Sequence, residues 1–212
     1  LLLAQQWARA GLMLVHGAAF EFEGRGILAL GSKGAGKSVL TAAAMAAGAR
    51  VVSDDWVMVG RDGDGLARAE RLREFMMLRH GQACDHLLTQ LGELRAAPLA
   101  ARPKTVFRFR DQSESVRRKL ISTCTVDQVW LLKRPPAGRF QPSSRAEAPP
   151  VQALAALIQA TMPILFSRRF TDEAAKLRQT ADAIFCRTGP STVCTGPDLL
   201  EHPAEVLNRL LL

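Results

Sequence analysis

Eight consecutive residues, Gly31-Ser32-Lys33-Gly34-Ala35-Gly36-Lys37-Ser38, fit the pattern Gly-x-x-x-x-Gly-Lys-Ser/Thr without a gap. The residue types say what such a run can do. Small residues let the main chain wrap closely around phosphate oxygens, so that several N–H groups point inward. A helix beginning near Lys37 would add the positive end of its dipole. Lys37 offers a point charge to the β- and γ-phosphates of a nucleotide, and Ser38 offers a hydroxyl to Mg²⁺. The run therefore predicts ATP and Mg²⁺ as cofactors, with Gly31, Ser32, Lys33, Gly34, Ala35, Gly36, Lys37 and Ser38 as the binding residues.

A second feature is the pair Asp54-Asp55, seventeen and eighteen residues after Lys37. Two adjacent carboxylates allow two roles, one toward a metal and one toward an acceptor hydroxyl, whose proton must leave as the new P–O bond forms. The third is His16. A lone histidine is commonly just a packed or exposed residue, but this one falls on a strand that is expected to lie beside the strand leading into the glycine-rich run, which would set its side chain beside that loop.

Those residues need elements to hold them. Leu1 to Ala10 reads as a short helix and Leu12 to Phe22 as extended chain. Glu23-Gly24-Arg25-Gly26 signals a turn, and Ile27 to Leu30 is a short apolar run, so the two strands are expected to form an antiparallel hairpin. Ser38 to Ala47 reads as an Ala-rich helix ended by Gly48. Val51-Val52 opens a buried strand that runs into the Asp pair. Trp56 to Val59 and Leu66 to Ala69, on either side of Asp62-Gly63-Asp64-Gly65, read as a further hairpin. Arg71 to Leu94 carries helical spacing, and Thr105 to Phe109 and Val126 to Leu132 read as strands. Pro136 to Pro150 reads as an exposed loop, Val151 to Ala160 and Thr171 to Ile184 as helices, Ser191 to Cys194 as a strand, and Pro203 to Leu211 as a final helix.

Composition narrows the classes. With 212 residues, 48% hydrophobic and 23% charged, the chain is expected to fold as one globular domain: a phosphate-binding core over 12–60 and a helical C-terminal part over 151–212. Its apolar runs fall short of the ~18 residues a bilayer span needs, so no membrane is expected. Cys84, Cys124, Cys186 and Cys194 show no CxxC spacing, which fits reduced thiols in a cytoplasmic protein. The first residue is Leu, so residues before it are expected. The net charge of +8 points to an anionic partner. Aromatic residues make up only 6%, too few to interleave with basic ones, so nucleic acid is not expected. Lys104, Arg108 and Arg110 share a strand parity, and Arg117, Arg118 and Lys119 follow. They read as a solvated basic face or as contacts to nucleotide or acceptor, and Lys133-Arg134, at a strand end, has the better claim to the site.

Val15-His16-Gly17-Ala18, then Gly24-Arg25-Gly26-Ile27-Leu28-Ala29-Leu30-Gly31, the glycine-rich run, and Gly48-Ala49-Arg50-Val51-Val52-Ser53-Asp54-Asp55 together resemble the catalytic domain of HPr kinase/phosphorylase and its smaller relatives. The resemblance is specific over Leu12 to Val59. It implies an α/β fold with a P-loop core on a mixed, largely antiparallel sheet flanked by helices, akin to ATP-dependent phosphoenolpyruvate carboxykinase. The Gly-rich signature segment that follows the core in HPr kinase/phosphorylases is not found, and the N-terminal domain of the long enzymes is not expected within these 212 residues. The chain is thus similar to divergent, catalytic-domain-only members, among them the kinases of lasso-peptide gene clusters that phosphorylate a serine ending a ribosomal peptide.

Carried over residue by residue, the resemblance implies catalytic roles for Lys37, Asp54 and His16. Asp54 would be the general base toward an acceptor serine, and Ser38 and Asp55 the metal-side ligands, the two Asp assignments being exchangeable. It implies a Mg²⁺- and ATP-dependent kinase acting on a serine of a protein or peptide partner, and a homo-oligomer, with hexamers common in the family. Two alternatives stand beside it, a small-molecule kinase for serine or a sugar, and a non-catalytic nucleotide-binding regulator.

Overall fold

A computed structural model describes residues 2–79, 85, 89, 97–98, 104–133, 141–161, 173–187 and 189–212. Its first helix, α1, spans Leu2–Arg9, and β1 follows at Met13–Phe22. β2, Arg25–Leu30, returns antiparallel along β1 in a register that pairs Phe22 with Arg25 and Gly17 with Leu30. Only Glu23 and Gly24 lie between them, both at positive φ (50° and 70°), the turn whose twist suits a two-residue hairpin. After β2 comes the loop to α2, Lys37–Ala46, whose chain leaves the helix through Gly48 at φ 97°.

The long β1 organises one side of the sheet. Its second half pairs with β3, Arg50–Ser53, and its first half with β4, Trp56–Arg61, both antiparallel. β4 turns into β5, Ala67–Arg71, across a turn in which Asp62 Oδ1 accepts from the N–H groups of Asp64 and Leu66. β9, Thr123–Thr125, closes that edge. On the other side of β2 lies β10, Gln128–Lys133, then β12, Ser191–Cys194, and these three strands run parallel. β11, Ser144–Glu147, pairs antiparallel at the outer edge. The result is a nine-stranded mixed sheet of order β11-β12-β10-β2-β1-β4-β5-β9, with β3 also on β1. A smaller antiparallel sheet joins β6, Phe75–Arg79, β8, Lys104–Arg108, and β7, Ala97–Pro98.

Both faces of the large sheet are covered, as its parallel centre requires. Along β2, Ile27 and Ala29 face one layer and Leu28 and Leu30 the other, all fully buried. The first layer holds α2 and the C-terminal helices Asp198–Glu201 and Pro203–Leu211, through Leu40, Leu199, Val206, Leu207 and Leu210. The second holds α1 and the helices Pro150–Ala160 and Ala174–Phe185, through Ala8, Leu157, Leu177 and Ile184. Phe20 and Trp130 meet edge to face in the first layer, and Trp130 Nε1 donates to Gln128 Oε1 at 2.9 Å. Among the described residues no helix is long and apolar enough to cross a membrane.

The mixed α/β architecture with flanking helices agrees with the expectation, as does the hairpin before the glycine-rich loop. Two readings need correction. The expected helix over 71–94 is not formed over its first part: β5 continues to Arg71 and Phe75–Arg79 is a strand, with alternate residues Met76 and Leu78 buried against the core, whereas Asp85 and Thr89 further on are helical. Most of the rest of that segment, Cys84 included, lies outside the described residues. The expected loop over 136–150 contains β11, a mostly exposed edge strand without apolar alternation.

Gly26 marks the tightest approach in the sheet, since a Cβ there would lie 1.7 Å from the carbonyl oxygen of Thr125. Gly24 has open space around it and only its left-handed φ to protect. Urea denaturation should therefore show Gly24→Ala costing about 1 kcal/mol and Gly26→Ala costing at least about 2 kcal/mol.

Candidate functional site

The glycine-rich loop leaves the C-terminal end of β2 and enters α2 at Lys37. Gly34 and Gly36 both sit at positive φ, 84° and 98°, a conformation that suits glycine. Ser32, Lys33 and Gly34 are exposed at its tip, and Ala35 is buried. The Lys37 side chain folds back under the loop, and its Nζ donates to the carbonyls of Gly31 at 2.7 Å and Ser32 at 3.2 Å. Burial holds the Lys37 ammonium below its ordinary pKa, while the nearby Asp55 carboxylate pulls the other way.

Asp54 and Asp55 occupy the break between β3 and β4. Because β1 pairs Ala19 with Ser53 and His16 with Trp56, the two carboxylates lie opposite Gly17 and Ala18, across β1 from the end of β2. Ser53 shapes the break: its hydroxyl donates to the Trp56 carbonyl at 2.7 Å and accepts from Asp55 N–H at 3.4 Å.

The two acids have different surroundings. Asp54 is 4% exposed. Burial pushes its carboxyl up to about 6, with the negative Asp55 adding to the rise, against hydrogen bonds from the Met77 N–H, its own N–H and the Ser38 hydroxyl. The Met77 N–H lies 3.1 Å from Asp54 Oδ2. Asp55 is more open and is held between two side chains: His16 Nε2 lies 3.0 Å from Oδ1 and Arg73 Nη1 lies 2.6 Å from Oδ2. The His16 ring rests against Trp56, its centroid 5.1 Å away.

The structure thus brings His16, Lys37, Ser38, Asp54 and Asp55 together at one end of β1 and β2. The Asp54 carboxylate is the one seen to accept a hydrogen bond from the Ser38 hydroxyl. Of the basic candidates, Lys133 ends β10, one residue after Leu132, whose carbonyl oxygen would lie 3.0 Å from a Cβ on Gly31. Arg134 lies outside the described residues, as does the side chain of Lys104. Arg108 and Arg110 are exposed, Arg118 pairs with Glu114, and Lys119 Nζ donates to the Met45 carbonyl at the end of α2.

Three contributors escaped the sequence reading. Arg73 and the Met77 N–H come from the segment read as helix, and nothing in their spacing marks them. Thr195, just past β12, has its hydroxyl 3.5 Å from the Cβ position of Gly36; its place follows only from the pairing of β10 with both β2 and β12.

No family model matches this sequence. No curated protein matches it either. Among solved structures, the chain is similar to the Hpr(Ser) kinase/phosphatase from Coxiella burnetii, at 10% sequence identity and a TM-score of 0.44 over 92% of this chain and 93% of that one.

The raised Asp54 carboxyl has a measurable consequence. Its folded pKa of about 6 lies above its value in the unfolded chain, so ionised Asp54 opposes folding above pH 6. That cost shrinks as pH falls through 6 and is gone below about pH 4. In the absence of metal, Asp54→Asn should therefore raise stability by about 2–3 kcal/mol at pH 7.5. The gain should vanish near pH 4, as followed by urea denaturation in chelator.

Proposed function

We propose that this chain is a Mg²⁺- and ATP-dependent kinase that transfers the γ-phosphoryl group to a serine hydroxyl of a protein or peptide. The observation that carries the reading is the contact between the Ser38 hydroxyl and the buried Asp54 carboxylate at the start of α2, with Asp55 and Lys37 beside it. The donor set fits Mg²⁺: hard oxygens from one hydroxyl and one carboxylate, the remaining positions going to water and phosphate. Among the described residues no group of three or more His, Cys, Asp or Glu side chains could hold a metal by itself.

In this reading the N–H groups of the loop from Gly31 to Ser38 cradle the phosphates. Lys37 exchanges its contacts with the loop carbonyls for phosphate oxygens. Ser38 and Asp54 hold the metal side, so the roles first assigned to the two acids are exchanged. Mg²⁺, when bound, offsets charge on the phosphoryl oxygens. Asp55, the more open acid, takes the proton of the acceptor hydroxyl, and His16 fixes the direction of its Oδ1. The choice of serine and of a peptide acceptor rests on the resemblance to HPr kinase/phosphorylase that the His-Gly strand, the glycine-rich loop and the Asp pair carry.

Transfer from γ-labelled Mg·ATP tests this. Peptides ending in serine should be labelled by the wild type, and Lys37→Ala should reduce labelling by at least about 100-fold without lowering the Tm. Label on free serine or a sugar instead would make the chain a small-molecule kinase. Tight ATP binding without turnover on any acceptor would make it a regulator. Asp55→Asn should slow transfer by about 10²–10⁴-fold and change Mg·ATP affinity by less than about threefold.

A further inference from the structure

The short connection between β5 and β6, residues 72–74, belongs to no motif, yet it reaches the site. Arg73 Nη1 holds Asp55 Oδ2 at 2.6 Å while His16 Nε2 holds Oδ1 at 3.0 Å. Each carboxylate oxygen thus has its own neighbour, one from β1 and one from this connection. The guanidinium lies over the Phe75 ring, 5.5 Å from its centroid. The connection is itself anchored. Arg71 Nε donates to Glu74 Oε1 at 3.2 Å, and Phe109 N–H donates to the Glu74 carbonyl at 2.9 Å. Two residues past Phe75, the same stretch gives the Met77 N–H to Asp54. One segment therefore fixes both acids by different means, a main-chain donor for the buried one and a side-chain cation for the open one.

We propose that Arg73 is the positioning residue for Asp55. It holds the carboxylate in the direction from which it receives the acceptor proton, and its charge lets a second acid stand beside Asp54 and a triphosphate. The inference rests on the reading of Asp55 as the proton acceptor. Lys37, whose Nζ donates to the loop carbonyls here, is given to the phosphates in that reading and leaves the role to Arg73. A planar guanidinium gives a directed hydrogen bond that an ammonium gives less well, so the conservative variant is informative.

The test uses Arg73→Ala and Arg73→Lys in the full chain. In the crystal structure of Arg73→Ala, the Asp55 carboxylate should leave His16 or occupy two orientations. An Asp55 that keeps its place overturns the proposal, whether or not the protein proves to be a kinase. In steady-state transfer, Arg73→Ala should lower kcat about 30- to 100-fold and leave the KM for Mg·ATP within threefold, and Arg73→Lys should recover part of the loss. A KM that rises as much as kcat falls would make Arg73 a phosphate contact instead and also overturn the proposal. Wild-type protein that binds Mg·ATP but transfers nothing would sink the kinase reading, and the crystal structure would still decide the position of Asp55.

Discussion

A carboxylate almost wholly removed from water is costly unless donors replace its hydration. Asp54 meets that condition only in part, with a main-chain N–H from β6, its own N–H and the hydroxyl of Ser38. The rest of the site depends on this arrangement. Ser38 is at the start of α2 because the loop before it turns through two glycines at positive φ. β6 is beside the break because the small sheet packs Met76 and Leu78 into the core. Asp55, one residue on, is left at the opening with Lys37, His16 and Arg73 around it.

The sheet explains why residues far apart in sequence converge. β1 is long enough to pair with β2 on one side and with both β3 and β4 on the other. The break between β3 and β4 therefore faces β1 at Gly17, directly across from Leu30 and the start of the loop. Gly17 suits that position, since a Cβ there would lie 3.1 Å from the Ala29 carbonyl. β10 and β12 run parallel to β2, so their C-terminal ends, Lys133 and Cys194, reach the same edge.

Much of this was legible in the sequence, and what was not has a physical cause. The hairpin from Met13 to Leu30, the helix after Lys37 and the strand before Asp54 announce themselves through apolar periodicity and glycine placement. Phe75-Met76-Met77-Leu78-Arg79 does not. It is short, Met and Leu suit a helix as well as a strand, and only its partner β8 and the core beneath decide the matter. β11 lacks a pattern because an edge strand with exposed side chains needs none. The types of the acids were readable but their division of labour was not, because burial of Asp54 and opening of Asp55 are set by β6. Arg73 was hidden for the same reason.

The account turns on Ser38 and Asp54 forming the metal side, with Asp55 on the acceptor side. Electron paramagnetic resonance of Mn²⁺ titrated into protein with ATP reads that division directly. Asp54→Asn should weaken binding of the protein to the metal–nucleotide complex by about tenfold or more, while Asp55→Asn leaves it near the wild-type value. Loss in Asp55→Asn with retention in Asp54→Asn, or wild-type binding in both, would contradict it.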